Sequence, residues 1–293
     1  IQETGYFVSE KTDGVRHFLL VLEGGAYLVT RKYEVGRVEF PALVGAFGAG
    51  GATLLDGELV RNLTEFRPVF MAFDVMVIHG RNVAARPYGE RLAILDREIA
   101  AYNAAWAGAA GTAAPFDMLI KKFYRKDQLA EIFALIHFDK QAGSYVIQDE
   151  QRFHRSDGIV FSPDAPYVPF TNHGMFKWKY MTHWTIDFGV SADNMFFVSD
   201  GPRAVTLRPA AFGAKDRAEY MEARRRYGGG DRAVVECSHN TNDRTYHFHV
   251  YRYDKPMPNN ITVAIDTLET MACNISKEEL IYRCRQAAGG DRW

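Results

Sequence analysis

The residue pattern predicts an α+β protein with a mixed first part, a small all-β second part and a helical end. Three observations carry this. Short apolar or alternating runs, separated by glycine pairs and polar turns, fill the first half, with helix-period stretches between them. After about residue 183 the texture changes to five short runs at turn-rich intervals, and helical spacing then returns toward the end. The chain has 293 residues, enough for one large domain or two ordinary ones, and its 47% hydrophobic and 24% charged residues fit a globular chain rather than a disordered one.

The elements follow in order. "YFVSEK", "HFLLVLE", "GAYLVTR", "TLLDGELV" and "PVFMAFDVMVI" read as strands. "GERLAILDREIAAYNAA" places Leu92, Leu95 and Ile99 at helical spacing. "WAGAAGTAAP" reads as a small-residue loop, "FDMLIKKFY" as a strand, and "RKDQLAEIFALIHFD" as one amphipathic helix opening near Asp127. "SDGIVFS" and "GMFKWKY" are two further strands. "TIDFGVSA", "NMFFVSD", "AVTLRP", "RAVVECSHN" and "TYHFHVYRY" are five strands with turn-rich connections, which fits a small closed barrel such as an OB-fold; a sandwich has the same texture. "NITVAIDTLETMAC" reads as a helix, and Ser276 with Glu279 forms a capping box opening "KEELIYRCRQAA". The expected division is 1–183, 184–262 for the barrel and 263–293 for the helical segment.

Composition narrows the function classes. A net charge of −1 is not the strongly basic balance of a nonspecific nucleic-acid binder. No apolar run approaches the roughly 20 residues of a membrane span, so no membrane partner is expected, and no signal peptide is visible. The chain begins at Ile1 and reads as a fragment of a longer polypeptide. Its three cysteines lack metal-like spacing, which suits a reducing compartment and argues against zinc.

Charged residues in apolar strands suggest the chemistry. "SEKTDGVRHF" sets Lys11, Asp13 and Arg16 around Gly14. A lysine amine is a nucleophile only when neutral, and burial or neighbouring cations favour that form; the bland alternative is a solvated turn. "LLDGELV" puts Asp56 and Glu58 on one side of a strand, and "HRSDGIVF" repeats Asp-Gly at Asp157. Carboxylates in apolar strands must be paired or bind a cation. With a lysine nucleophile nearby they suggest a hard divalent ion, Mg²⁺ or Mn²⁺. "FKWKY" sets Lys177 and Lys179 on one strand face and Trp178 on the other. Such a pair suits a bound phosphate, or a solvated edge strand. Phe73 in "MAFDVMV" is a candidate base-stacking ring or a plain core residue, and Arg252, Asp254 and Lys255 in "YRYDKPMPN" form a charged turn.

These pieces, in this order, resemble the covalent nucleotidyltransferase superfamily, and within it the RNA guanylyltransferases of mRNA capping enzymes. "KTDGVR", "VEFPAL" before "DGE", "GERLAILDREI", "HRSDGIVFSP", "FKWKY", "TIDF", "AVVECSHN", "YRYDKPMPN" and "TVAIDTLETMACNISKEEL" carry the resemblance over roughly residues 6–285. It implies a nucleotidyltransferase domain of ATP-grasp-like antiparallel sheets with helices, then an OB-fold barrel and C-terminal helices. Two positions depart from the family pattern: Val250 stands where a second arginine often precedes the last motif's aspartate, and His183-Trp184 precede "TIDF".

The resemblance implies that Lys11 attacks the α-phosphorus of GTP, forms lysyl–GMP and passes GMP to 5′-diphosphate RNA. Thr12 would help read guanine, and Arg16 and Glu58 would hold the ribose. Phe73 and Ile159 would sandwich the base. Glu58 and Asp157 would lie at the metal, Lys177 and Lys179 at the α-phosphate, and Arg31 at a phosphate or ribose. Arg252, Asp254 and Lys255 would orient the β- and γ-phosphates when the barrel closes over the site. An RNA polymerase C-terminal tail and a fused or associated RNA triphosphatase or cap methyltransferase are the further partners implied. The expected location is the nucleus, or the cytoplasm for a viral protein. The alternatives are an ATP-dependent RNA or DNA ligase, and an inactive scaffold binding RNA or the polymerase.

Overall fold

Alternation of apolar and polar residues builds most of the chain into strands. The structure, a computed structural model, describes residues 5–106, 114–227, 233–239 and 245–289. Most of the small-residue loop expected after Trp106 lies outside these residues. The strands of the first part are β1 (Tyr6–Thr12), β2 (Val15–Leu22), β3 (Gly25–Thr30), β4 (Val35–Val38), β5 (Thr53–Arg61), β6 (Pro68–Ile78), β7 (Arg81–Asn82), β8 (Asp117–Ile120) and β9 (Tyr124–Arg125). They continue with β10 (Ile136–Asp139), β11 (Ser144–Gln148), β12 (Phe153–Pro163) and β13 (Phe176–Lys179). Helices α1 (Pro41–Leu43), α2 (Tyr88–Trp106) and α3 (Leu129–Leu135) lie among them. The second part has β14 (Ile186–Val190), β15 (Met195–Asp200), β16 (Arg203–Pro209), α4 (Ala214–Tyr227), β17 (Ala233–His239), β18 (Tyr246–Tyr251) and α5 (Ile261–Cys273), followed by α6 (Lys277–Gly289).

The chain divides into two compact units, residues up to 178 with those from 277 onward, and residues 179–276. The first unit holds two sheets. One runs β10-β11-β12-β1-β9, with β13 also paired to β12. The other runs β4-β3-β2-β5-β6-β7, antiparallel throughout, with β8 added parallel to β6. Phe70 and Ala72 of β6 face a core with Leu19, Leu55, Leu95 and Ile99, which fixes α2 on that sheet. The intervening Val69 and Met71 pack with Val60 in a separate cluster, as strand alternation requires. Lys277, at the start of α6, lies 5.2 Å over the Phe133 ring of α3, so the last helix belongs to this unit.

The second unit is a five-stranded antiparallel sheet in the order β16-β15-β14-β17-β18. All five strands expected after residue 183 are present. Strand pairing among the described residues does not show the expected closed barrel. Phe188, Phe196, Val235 and Phe248 form its core, sealed by Tyr220 of α4 and Ala264 of α5. Asn260 caps α5 by accepting the Thr262 amide at 3.0 Å.

Several elements differ from expectation: β4, β7, β11 and α1 are additional, and the single strand expected over 116–124 is divided into β8 and β9. The helix predicted over 125–139 ends at Leu135, and Ile136–Asp139 pairs with β11 instead. Both strands are β-prone, and the partner lies across a turn that helix periodicity does not register. Helix α4 was not foreseen, because only Tyr220 is buried along it and its apolar stripe is faint.

Gly57 gives a test of this packing. A Cβ there would lie 2.4 Å from the ring of Phe70, which is fully buried. Gly57→Ala is expected to cost about 1–3 kcal/mol by overpacking. The check is a lower urea midpoint with an unchanged m-value.

Candidate active site

The two sheets of the first unit join at the short passage from β1 to β2, and the site is built there. Lys11 Nζ donates to Asp157 Oδ2 at 2.5 Å, across 146 residues of sequence. A β-bulge makes this possible. Lys11 pairs with Gly158 and Thr12 with Ser156, leaving Asp157 as the extra residue on β12. Bulges of this kind re-aim a side chain. The pair is partly open, with 20% and 23% of the two side chains exposed.

Glu58 stands on β5 opposite Arg16 of β2. Burial pushes its carboxyl up, against the pull of Lys121, Lys11 and the Gly14 amide. The glycine at position 14 has a steric reason: a Cβ would lie 2.5 Å from the Leu59 carbonyl oxygen and 2.9 Å from the Glu58 side chain. The backbone can approach Glu58 only without one.

Arg16 is held as a planar fork. Its Nε donates to Asp56 Oδ1 at 2.8 Å and its Nη2 to Asp56 Oδ2, while Tyr167 Oη donates to the same Oδ2 at 3.2 Å. Asp56 is fully buried. Burial pushes its carboxyl up, and Arg16, Tyr167 and the charge of Arg31 pull it down. This two-point pairing sets the Arg16 geometry. The Arg16 guanidinium lies 5.6 Å from the Phe73 ring centre, and Lys121 Nζ lies 5.4 Å from it. Phe73 is half-buried, and Ile159, the other residue expected at a base, is fully buried on β12 opposite Glu10.

Behind β1 lies a buried polar group. Strand alternation turns Glu10 and Thr12 away from the Lys11 side. Thr12 Oγ1 donates to Glu10 Oε1 at 3.1 Å, and His154 Nε2 lies 3.6 Å from that oxygen. Burial acts to raise the Glu10 carboxyl. Lys121, His154 and Arg152 outweigh it and hold the group below the usual carboxylate range.

The other expected residues are placed as follows. Lys177 and Lys179 are on β13; Trp178 between them meets Phe133 edge-on at 5.3 Å, and Lys179 Nζ lies 5.6 Å over Trp184. Arg31 is exposed just after β3. In the second unit, Arg252 Nη1 donates to Asp187 at 3.1 Å and Glu236 at 3.0 Å, and its other nitrogens fork onto Asp254 at 2.9 and 3.0 Å. Arg252 draws the Asp254 carboxyl down to about 2. Lys255 Nζ also pairs with Asp187. The structure thus brings Lys11, Asp157, Glu58, Arg16 and Phe73 into one neighbourhood, and Arg252, Asp254 and Lys255 into another.

Sequence reasoning missed Glu10, Lys121, Tyr167, Asp187 and Glu236. Asp187 in "TIDFGV" and Glu236 in "AVVECS" carried the same signal as Asp56, a carboxylate inside an apolar strand. Tyr167 carried none.

Two family models cover the chain. Residues 1–181 match the mRNA capping enzyme catalytic domain, and residues 185–281 match the mRNA capping enzyme C-terminal domain. The chain belongs to the mRNA capping enzyme family. Its first domain is therefore the family's catalytic domain. The mRNA-capping enzyme of Danio rerio is 25% identical over 98% of this chain and 48% of its own length. The mRNA-capping enzyme subunit alpha of Schizosaccharomyces pombe is 25% identical over 96% of this chain and 75% of its own. That of Saccharomyces cerevisiae is 30% identical over 64% of this chain and 43% of its own. This capping-enzyme chain spans about half the length of the animal relatives it matches. Among solved structures, a mycobacterial DNA ligase D is similar over 86% of this chain and 90% of that chain, at 17% identity and a TM-score of 0.45.

Proposed function

We propose that this capping-enzyme chain transfers GMP from GTP to the 5′-diphosphate end of RNA through a covalent intermediate on Lys11. The observation that supports this most is Lys11 Nζ held against Asp157, with Glu58 in electrostatic reach, inside the matched catalytic domain. In the first step the Nζ–P bond forms at the α-phosphorus, the bond to pyrophosphate breaks, and Nζ releases a proton. In the second step the terminal RNA oxygen displaces Lys11 and gives the GpppN cap. Such in-line transfers are catalysed by positioning and charge neutralisation.

The residue roles are those the family resemblance implies. Arg16, fixed by Asp56, and Glu58 bind the ribose, and Arg31 lies near enough to Asp56 to join that end. Phe73 and Ile159 flank the base. The resemblance gives Thr12 a part in reading guanine; its hydroxyl, on the side of β1 away from Lys11, donates to Glu10. Lys177 and Lys179 hold the α-phosphate, and Arg252, Asp254 and Lys255 orient the β- and γ-phosphates. Among the described residues no group of three or more metal-type ligands occurs. Glu58 and Asp157 are two oxygen donors, the kind of set Mg²⁺ or Mn²⁺ takes when phosphates and water complete its shell. A bound ion there would neutralise phosphate charge. The five-stranded second unit is read as the OB-fold of the family. No helix among the described residues is long and apolar enough to cross a membrane. A nuclear location, with the polymerase tail and an RNA triphosphatase or methyltransferase as partners, follows from the same reading.

The test is incubation with α-labelled GTP or ATP and Mg²⁺ or Mn²⁺, followed by a denaturing gel. A covalent label from GTP and none from ATP is expected. Label from ATP alone would transfer the chain to the ligase reading, and no label from either, with RNA still bound, to the scaffold reading.

A further inference from the structure

The last turn of α4 and the end of β18 form an aromatic and cationic surface with no part in the chemistry above. Tyr227, at the end of α4, stacks on Tyr251 with ring centres 5.7 Å apart and planes 27° apart. It also stacks on Tyr253, at 5.7 Å and 21°. Tyr251 is buried and anchors the set in the core, whereas Tyr227 is 47% exposed and Tyr253 77% exposed. The Arg226 guanidinium lies 5.5 Å from the Tyr227 ring centre, and Arg225 and Arg226 are both exposed.

The bland explanations cover only part of this. Arginines in the last turn complement a helix dipole, and Arg224 is engaged with Asn194 and Tyr220. Neither accounts for a tyrosine with three quarters of its surface in water, set parallel to a second half-exposed tyrosine. Among the described residues, the acidic groups adjoining these four in sequence are Glu222 on α4, which is exposed, and Asp254, which Arg252 already holds. Near-parallel aromatic faces beside guanidinium groups bind single-stranded nucleic acid, because every unpaired base offers a π-face and every nucleotide a phosphate. A duplex hides its base faces, and an unmodified peptide brings no regular anionic charge.

We propose that Tyr227 and Tyr253, with Arg225 and Arg226, form a stacking platform for unpaired nucleotides of the RNA whose end is capped. This inference rests on the capping reading for the identity of the RNA. Binding through stacking and phosphate contacts makes the platform tolerant of base sequence and sensitive to salt.

The test uses the whole chain and a ten-nucleotide 5′-diphosphate RNA, read by fluorescence anisotropy and by the KM for RNA in GMP transfer. Tyr227→Ala with Tyr253→Ala is expected to weaken binding and raise that KM on the order of tenfold or more, the loss expected from removing base stacking. Tyr227→Phe with Tyr253→Phe restores both, because the ring and not the hydroxyl carries the contact. Arg225→Glu with Arg226→Glu weakens binding and flattens its salt dependence. Lysyl–GMP formation from GTP stays at the parent level in every variant, which also shows that the fold is intact. Unchanged RNA binding and KM in the alanine variant overturn the platform while leaving the capping reading standing. So does an equal loss for duplex RNA, or a failure of the phenylalanine variant to restore. If the parent chain forms no lysyl–GMP, the capping reading fails, and the anisotropy arm still decides the platform.

Discussion

Lys11→Ala is expected to reduce the covalent GTP label to background while leaving the protein folded. The amine is the atom that would bond to phosphorus, so no neighbouring group substitutes for it. Lys11→Arg is expected to be equally silent, because a guanidinium stays protonated and cannot attack. The cost to stability should be small. The Lys11–Asp157 pair is about one-fifth exposed on each side, so losing it is worth at most about 1 kcal/mol after solvent screening. Bound nucleotide should still be detected, since Arg16 and Phe73 are untouched. The measurement is a labelling gel paired with a thermal melt. A label that survives in Lys11→Ala would mean another nucleophile. Lys121, the buried lysine near Phe73, would be the first to map by peptide digestion.

The legible parts of this chain are those where chemistry-bearing residues sit inside short strands. Lys11, Asp56, Glu58 and Asp157 stand in apolar runs where a charge needs a reason, and local pattern alone exposes that tension. What local pattern does not contain is the partner. Asp157 reaches Lys11 through a bulge between strands 146 residues apart, and Lys121 reaches Glu58 and Glu10 because β8 adds in parallel beside β6. Tyr167 meets Asp56 from a segment with no periodic signal of its own. The same limit explains the truncated helix at Leu135, where pairing of Ile136–Asp139 with β11 overrides helical spacing. It also explains α4, whose charged composition masks a helix held by one buried tyrosine. Barrel closure is a property of edge pairing, which no single run of residues encodes.

Arg91→Ala is expected to be the most destabilising single change among these residues, about 3–5 kcal/mol. Arg91 on α2 forks onto Asp74 of β6 with Nε–Oδ1 at 2.8 Å and Nη2–Oδ2 at 3.0 Å, and also donates to the Ala165 carbonyl at 2.9 Å. The two side chains are only 3% and 8% exposed. Burial pushes the Asp74 carboxyl up, the Arg91 bonds pull it down, and Asp56 across the strand pair pushes it up again. Removing Arg91 leaves mainly the upward influences and strands a carboxylate out of water. A carboxyl whose folded pKa is raised favours the protonated fold, so its penalty is absent at low pH and grows as pH rises through that raised value. The deficit relative to the parent is therefore expected to be larger at about pH 8 than at about pH 5. Urea titrations at the two values check this, and an equal deficit at both would show that the Asp74 charge is not what is stranded. Replacing both partners, Arg91→Met with Asp74→Leu, should recover much of the loss, because apolar groups of similar volume carry no unpaired charge. The pair also bears on the site. Tyr88 at the start of α2 donates to the Phe73 carbonyl at 2.7 Å, so loosening α2 frees the strand that carries Phe73, the ring proposed to stack on the base. Arg91→Ala is accordingly expected to raise the KM for GTP at temperatures where the protein remains folded, whereas the Lys11 variants lose the chemical step and keep nucleotide binding.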